Sequence, residues 1–195
     1  SSNDRINALS DALTGNLKSI ISSFDSIRSK TSRQAEKQEK KQMERTLVLL
    51  KPSTIERALV GEIVNRFEKK GLRIVGMKMM QLTDEILAQH YAHLVKKPFF
   101  PILKASMMKT PVIAMCLEGV DAIAVVRYIT GYTNGRKADP GTIRGDYCMS
   151  NQQNIVHASD SPEAAVEELN RFFRPEEIFD MGDLNLDRLY AVDEL

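Results

Sequence analysis

From Arg45 onward, short apolar runs of strand length alternate with stretches of helical spacing, and this alternation restricts the fold more than any other feature. Residues 46–51 form a first short strand that ends in Lys-Pro. Residues 55–70 carry Leu59, Ile63, Val64 and Phe67 at helical intervals, with Gly71 suited to the C-terminal cap. Residues 72–82 alternate as a strand, Thr83 caps a helix running through Leu94, and a further short helix follows Pro98. A buried strand is expected at 111–118, a helix at 122–130, a turn-rich stretch from Gly131 to Asp146, and a short strand at 154–157. Ser161 as N-cap, Pro162 in the first turn and Glu163 beside it open a last helix. The order β-α-β-α-β-α-β predicts an α+β sandwich of the split βαβ type, built on an antiparallel sheet.

The chain changes character near Glu44, which divides it into a helical extension with a basic linker over residues 1–43 and a globular domain over 44–195. In the extension Ile6, Leu13, Ile20 and Ile27 recur every seven residues, with Leu17 and Phe24 between them, as the a and d positions of a coiled coil do. Gly15 weakens this helix, since an interior glycine costs about 1 kcal/mol relative to alanine. From Arg28 to Gln42 the apolar residues give way to Lys, Arg, Glu and Gln, the composition of a solvated helix or a linker. Three readings of the extension stay open. The stripe packs on the chain's own surface, it associates with itself over residues 6–27, or it binds a protein or anionic surface with help from Arg28, Lys30, Arg33, Lys37, Lys40 and Lys41.

With a net charge of +1, no global field draws the chain to nucleic acid or membrane, so attraction for a ligand must be local. No apolar run approaches the roughly 18 residues of a membrane span, no signal-peptide pattern precedes the domain, and the terminal Val-Asp-Glu-Leu reads as an ordinary polar tail. Cys116 and Cys148, the only two cysteines, read as small core residues and favour a reducing, cytoplasmic location.

His157 stands where a strand gives way to a loop and then to a helix N-terminus, a setting that favours anions. A lone histidine beside an apolar pair is ordinarily structural; its companions alter that reading. Glu168, about two turns into the next helix, is placed to accept a hydrogen bond from Nδ1, which would leave Nε2 as the nucleophile, and Ser159 can donate in the same locality. Lys51, Arg127 and Arg144 each read individually as surface cations, but together they suit phosphoryl transfer, whose transition state is stabilised by positioning and charge. There is no P-loop or Rossmann glycine motif. His90 and His93 make half a metal site without a third ligand at a suggestive spacing, so no metal site is expected and both are assigned to a helix surface. Met77, Met79, Met80, Met107 and Met108 are read as core and interface filler.

The run Asn154-Ile155-Val156-His157-Ala158-Ser159-Asp160-Ser161 resembles the active-site signature of nucleoside diphosphate kinases. The resemblance extends over residues 44–181. The chain from Arg45 to Lys51-Pro52 is similar to the family's first strand, Lys96-Lys97-Pro98-Phe99-Phe100 to its nucleotide-gripping hairpin, and Pro140-Gly141-Thr142-Ile143-Arg144-Gly145-Asp146 to its phosphate loop. The resemblance implies a ferredoxin-like fold with a four-stranded antiparallel sheet and ping-pong transfer of a γ-phosphate through phosphohistidine at His157. It implies catalytic roles for His157, Glu168, Ser159 and Lys51. It implies phosphate or sugar contacts from Lys51, Tyr91, Arg127, Thr133, Arg144 and Asn154, and a base platform at Phe99 with Leu103 beside it. Mg2+ carried by the nucleotide, nucleoside di- and triphosphates as substrates with ATP as donor, and assembly as hexamers or tetramers of dimers follow from the same resemblance. The chain departs from the family's pattern at Ser53-Thr54, which replace Asp-Gly, and at Tyr132, Gly135 and Asn151. The rival readings are a nucleotide-responsive scaffold whose N-terminal helix recruits a partner, and a ferredoxin-like RNA-binding domain. The second is disfavoured by the near-neutral charge and the lack of an aromatic RNP strand.

Overall fold

The computed structural model describes the backbone of residues 2–36 and 43–195 and the side chains of 2–28 and 43–195. The chain divides into two compact units, residues 1–41 and 42–195. In the first, α1 spans Ser2–Glu36 and runs through Gly15 without interruption. The stretch assigned to a solvated helix or linker is therefore helical as far as Glu36. Lys37, Lys40 and Lys41 lie outside the described residues, as do the side chains of Lys30 and Arg33.

The second unit is built on four strands, β1 (Met43–Leu50), β2 (Arg73–Met80), β3 (Val112–Val120) and β4 (Val156–Ala158), in the order β2-β3-β1-β4. Every neighbouring pair is antiparallel. Strand β3 therefore lies between β1 and β2, and β1 between β3 and β4, which is the split βαβ arrangement of a ferredoxin-like sheet. All nine residues of β3 are buried, so both faces of the sheet are covered. The period of two separates the cores. Val48, Leu50, Ile113, Met115 and Leu117 face a cluster containing Ile63 and Phe67 of α3 (Val60–Lys70) and Val126 of α6 (Ala122–Thr130). Leu47, Leu49, Val112, Ala114 and Cys116 face the other cluster, with Leu87 of α4 (Asp84–His90), Met107 of α5 (Phe100–Met107) and Leu169 and Phe172 of α8 (Pro162–Phe172).

Two expected helices are broken. The one placed at 55–70 divides into α2 (Pro52–Glu56) and α3, because Ala58 turns left-handed at φ 54° and the chain re-enters a helix only at Val60. The one placed from Thr83 through Leu94 ends at His90, followed by a 3-10 turn at Ala92–Leu94. The stretch read as turns from Gly131 to Asp146 contains a 3-10 turn at Gly135–Lys137 and α7 (Ile143–Tyr147), whose Thr142 cap accepts from the Gly145 N–H at 3.0 Å. Past α8 a last short helix, α9, spans Leu186–Leu189. Of the methionines, Met107 fills the core, whereas Met77 and Met79 are exposed on edge strand β2. Among the described residues no helix is long and apolar enough to cross a membrane.

Candidate active site

The site begins with a strained turn. Strand β4 is only three residues long and sets His157 opposite Leu49. Just before it, Ile155 adopts φ 61°, a left-handed conformation that a β-branched residue enters at a cost of order 1–3 kcal/mol. The Val156 N–H donates to the Asn154 carbonyl at 2.8 Å, closing a γ-turn around Ile155. The surroundings hold this conformation. The Ile155 side chain is fully buried, and its carbonyl accepts from the Lys51 N–H at 2.9 Å and from Thr54 Oγ1 at 2.6 Å. Thr54, a departure from the resembled pattern, thus anchors the turn. The turn also carries the Asn154 side chain to Lys51, whose Nζ donates to Asn154 Oδ1 at 2.6 Å.

His157 and Glu168 meet as the sequence suggested, but through the other nitrogen. Nε2 of His157 lies 2.8 Å from Glu168 Oε2, and Ser159 Oγ donates to the same oxygen at 2.8 Å. Burial tends to raise the Glu168 pKa; the hydrogen bond and charge of His157, with the Ser159 hydroxyl, outweigh it and hold the carboxyl below its usual range. An ionised carboxylate only accepts, so Nε2 carries a proton, and in the neutral ring the lone pair then lies on Nδ1. Nδ1 has no hydrogen-bond partner among the described residues. The expectation that Nδ1 would be engaged and Nε2 free is therefore reversed. The reason is reach: Nε2 is the ring nitrogen farther from the backbone, and it is the one that spans from β4 to α8.

Around His157 opens a cleft of about 400 Å3 lined by Lys51, Tyr91, Phe99, Leu103, Arg127, Thr133, Arg144, Asn154 and Glu168. The fold gathers these residues from six parts of the chain between Lys51 and Glu168, and Ser159 is fully buried. Burial, and after it the charge of Arg144, lowers the Lys51 pKa to about 8. Burial likewise lowers Arg144 to about 10. Arg144 donates to three carbonyls: Nε to Asn154 at 3.2 Å, Nη1 to Gly131 at 2.8 Å and Nη2 to Val156 at 2.6 Å. It is thus a brace of the strained turn as well as a cation, and two of its five N–H groups remain for a ligand. Arg127 is exposed at the rim. The loop from Gly131 closes tightly on itself. A Cβ on Gly135 would collide with the Cys148 carbonyl, and one on Gly145 with the Asp139 carbonyl.

His90 is where the sequence reading failed. It is not on a helix surface but buried in the cleft wall, its ring edge-to-face with His157 at 4.5 Å between centroids and with Phe172 at 5.2 Å. Arg171 Nη1 lies 3.2 Å from His90 Nδ1, and the buried Nε2 has no partner among the described residues. Burial, then the charge of His157, lowers its pKa to about 3, so the ring is neutral. Tyr91 Oη is buried without a partner too, and burial pushes it up to about 12. No pattern in the sequence distinguished His90 from His93, which is exposed. His90, His157 and Glu168 each bring a ligand atom within 4.8 Å of the others, a spacing open to a metal ion. Glu168 is already engaged by two donors, however, and Lys51, Arg127, Arg144 and Arg171 surround the group with positive charge. That field suits an anion.

A family model described as nucleoside diphosphate kinase matches residues 44–178. A nucleoside diphosphate kinase of Parabacteroides distasonis is 66% identical over 152 residues, covering 78% of this chain and 99% of that one. Nucleoside diphosphate kinase B of Bos taurus is 45% identical over 147 residues, covering 75% and 97% respectively. Among solved structures, a halophilic nucleoside diphosphate kinase from Halobacterium salinarum in complex with CDP superimposes with a TM-score of 0.74 at 40% identity, covering 77% of this chain and all of that one.

Proposed function

Since the chain belongs to the nucleoside diphosphate kinase family, we propose that its phosphotransferase reaction runs through Nδ1 of His157. The protein moves the γ-phosphate of a nucleoside triphosphate to a nucleoside diphosphate. In this reading the Nδ1 lone pair attacks the γ-phosphorus, the bond to the bridging oxygen breaks, and its electron pair leaves with the nucleoside diphosphate. A second diphosphate then attacks the phosphohistidine through a terminal oxygen and restores the free ring. Glu168 keeps the proton on Nε2 throughout and offsets the positive charge that phosphorylation places on the ring. Ser159 fixes the carboxylate. Lys51, Arg127, Arg144 and Thr133 bind the phosphates, Lys51 and Asn154 reach towards the transferred group and the ribose, Tyr91 offers its free hydroxyl, and Phe99 with Leu103 receives the base. Mg2+ enters as part of the nucleotide substrate, with ATP the usual donor.

The observation that carries this reading is the 2.8 Å contact of Nε2 with Glu168, which leaves Nδ1 as the basic nitrogen in a cleft of cations. Catalysis belongs to residues 44–195, with 1–43 outside the reacting unit. The exposed Met77 and Met79 on edge strand β2 support assembly with further copies, as hexamers or tetramers of dimers. The free, buried thiols of Cys116 and Cys148 support a cytoplasmic location. The test is intact-mass spectrometry after mixing with Mg·ATP. A gain of about 80 Da, the mass of one phosphoryl group, should map to His157, be lost in acid and disappear on adding GDP. His157→Ala should neither gain the phosphate nor exchange it while still binding nucleotide. Substantial exchange by that variant would sink the assignment.

A further inference from the structure

Along α1, Ile6, Leu9, Leu13, Leu17, Ile20, Ile21 and Phe24 are each between 54% and 67% exposed. With Ile6, Leu13 and Ile20 at one core position of a heptad, Ser10, Leu17 and Phe24 fill the other. A strict seven-residue repeat drifts by about 20° per heptad on a straight helix, and it is kept on one seam by supercoiling against another helix. Ile6, Leu9, Leu13, Leu17 and Ile21 lie together on one open face of α1 beside the seam. On the transfer scale a large aliphatic side chain hides roughly 60–120 Å2 of apolar surface, so at these exposures the seven present roughly 250–550 Å2. A contiguous apolar patch of a few hundred Å2 is often a functional surface. Set against an identical face, the total comes to roughly 500–1,100 Å2, the range of small interfaces, which suits an element that adds to an assembly rather than making one alone.

Charge and layer order select a second copy as the occupant. Over residues 2–28, Asp4, Asp11 and Asp25 balance Arg5, Lys18 and Arg28, so the apolar stripe itself carries no net charge to draw an anionic membrane or an acidic partner, and the basic run lies beyond it in the sequence, from Lys30 to Lys41. The positions flanking the seam hold Ser2, Asn7, Leu9, Thr14, Asn16, Ile21 and Ser23, with Arg28 the one charge among them, and in a parallel pair Arg28 meets Ser23, so an identical helix meets no like-charge repulsion there. Parallel and in register, Asn3 faces Asn3 and Ser10 faces Ser10, which keeps the polar layers together at one end. Reversing one helix would bury those residues against the apolar end of the other, around Phe24. We propose that α1 is a self-association element, through which copies of this chain join in a parallel, in-register helical bundle with Leu17, Ile20 and Phe24 in its core.

The test uses the full-length chain carrying one added cysteine at a time, Ile6→Cys or Ile20→Cys on the seam and Ser22→Cys on the opposite face, oxidised with copper phenanthroline at low protein concentration. The native Cys116 and Cys148 are buried and contribute little background. Both seam positions should trap covalent dimers several-fold more than Ser22→Cys. Equal trapping at all three positions, or none at Ile20→Cys, overturns the proposal; Ile6→Cys pairing only with Phe24→Cys in a mixed sample overturns the parallel arrangement. As an independent measurement, Leu13→Asp with Ile20→Asp should remove the helical far-ultraviolet signal of α1 while phosphate exchange is unchanged. A fully retained helical signal would mean that the helix stands without a second copy, and the proposal fails.

Discussion

Lys51 should destabilise the folded protein that depends on it. Its pKa falls from an ordinary 10.5 to about 8 on folding, first through burial and then through Arg144. Keeping the side chain charged in the fold at neutral pH therefore penalises the folded state by about 3 kcal/mol. Lys51→Met removes that penalty and loses the hydrogen bond to Asn154 Oδ1, which is worth about 1–2 kcal/mol. The variant should be more stable by about 1–2 kcal/mol at pH 7, a rise in melting temperature of about 2–8 °C for a domain of this size. Phosphate exchange should collapse at the same time. The pH dependence follows from linkage. Below about 8 the lysine is charged in both states and the penalty is complete. Between about 8 and 10.5 the unfolded chain holds a proton that the folded one has released, so wild-type stability gains on the variant as pH rises; above 10.5 the penalty is gone. Urea unfolding of both proteins at pH 7 and pH 10, at one protein concentration, reads the gap directly. A variant that is less stable at pH 7, with a gap that does not move with pH, would refute the reasoning.

Three further substitutions test the architecture of the site. Glu168→Gln keeps the shape but weakens a charged hydrogen bond to His157, and phosphoenzyme formation should slow by about 10- to 100-fold with the fold intact, measured by rapid quench. The Glu168 carboxyl is held below its usual range, so its contribution to stability is present above the ordinary carboxylate pKa and lost as pH falls through the lowered value; acid unfolding should start at lower pH in the wild type than it would with an unperturbed Glu168. Thr54→Val removes one of two donors on the Ile155 carbonyl and should reduce stability by about 1–2 kcal/mol in urea titrations. Gly135→Ala forces a methyl against the Cys148 carbonyl, and a loss of about 1–3 kcal/mol should lower the melting temperature. An unchanged melting curve would mean the loop does not close that tightly.

Much of this protein was legible before folding was considered. The alternating apolar runs located all four strands to within a few residues, since a buried strand needs period-two or continuous apolar sequence. The helix over Ala122–Thr130 and the capped start of α8 followed from local chemistry alone. The run around His157 marked its neighbours as one site because those residue types are adjacent in sequence.

Long-range placement was another matter. The γ-turn at Ile155 is stabilised by partners distant in sequence, Thr54 and Lys51, so no local pattern announces it. Which imidazole nitrogen meets Glu168 depends on how far β4 stands from α8, a distance fixed only when both pack on the sheet. His90 and His93 differ by three positions on one segment, and only the packing of Phe172 and His157 against one of them decides which is buried. Sequence determined which groups were available for the chemistry. Tertiary structure decided which of their atoms are free to act, because hydrogen-bond partners and desolvation are set by residues that meet only in the fold.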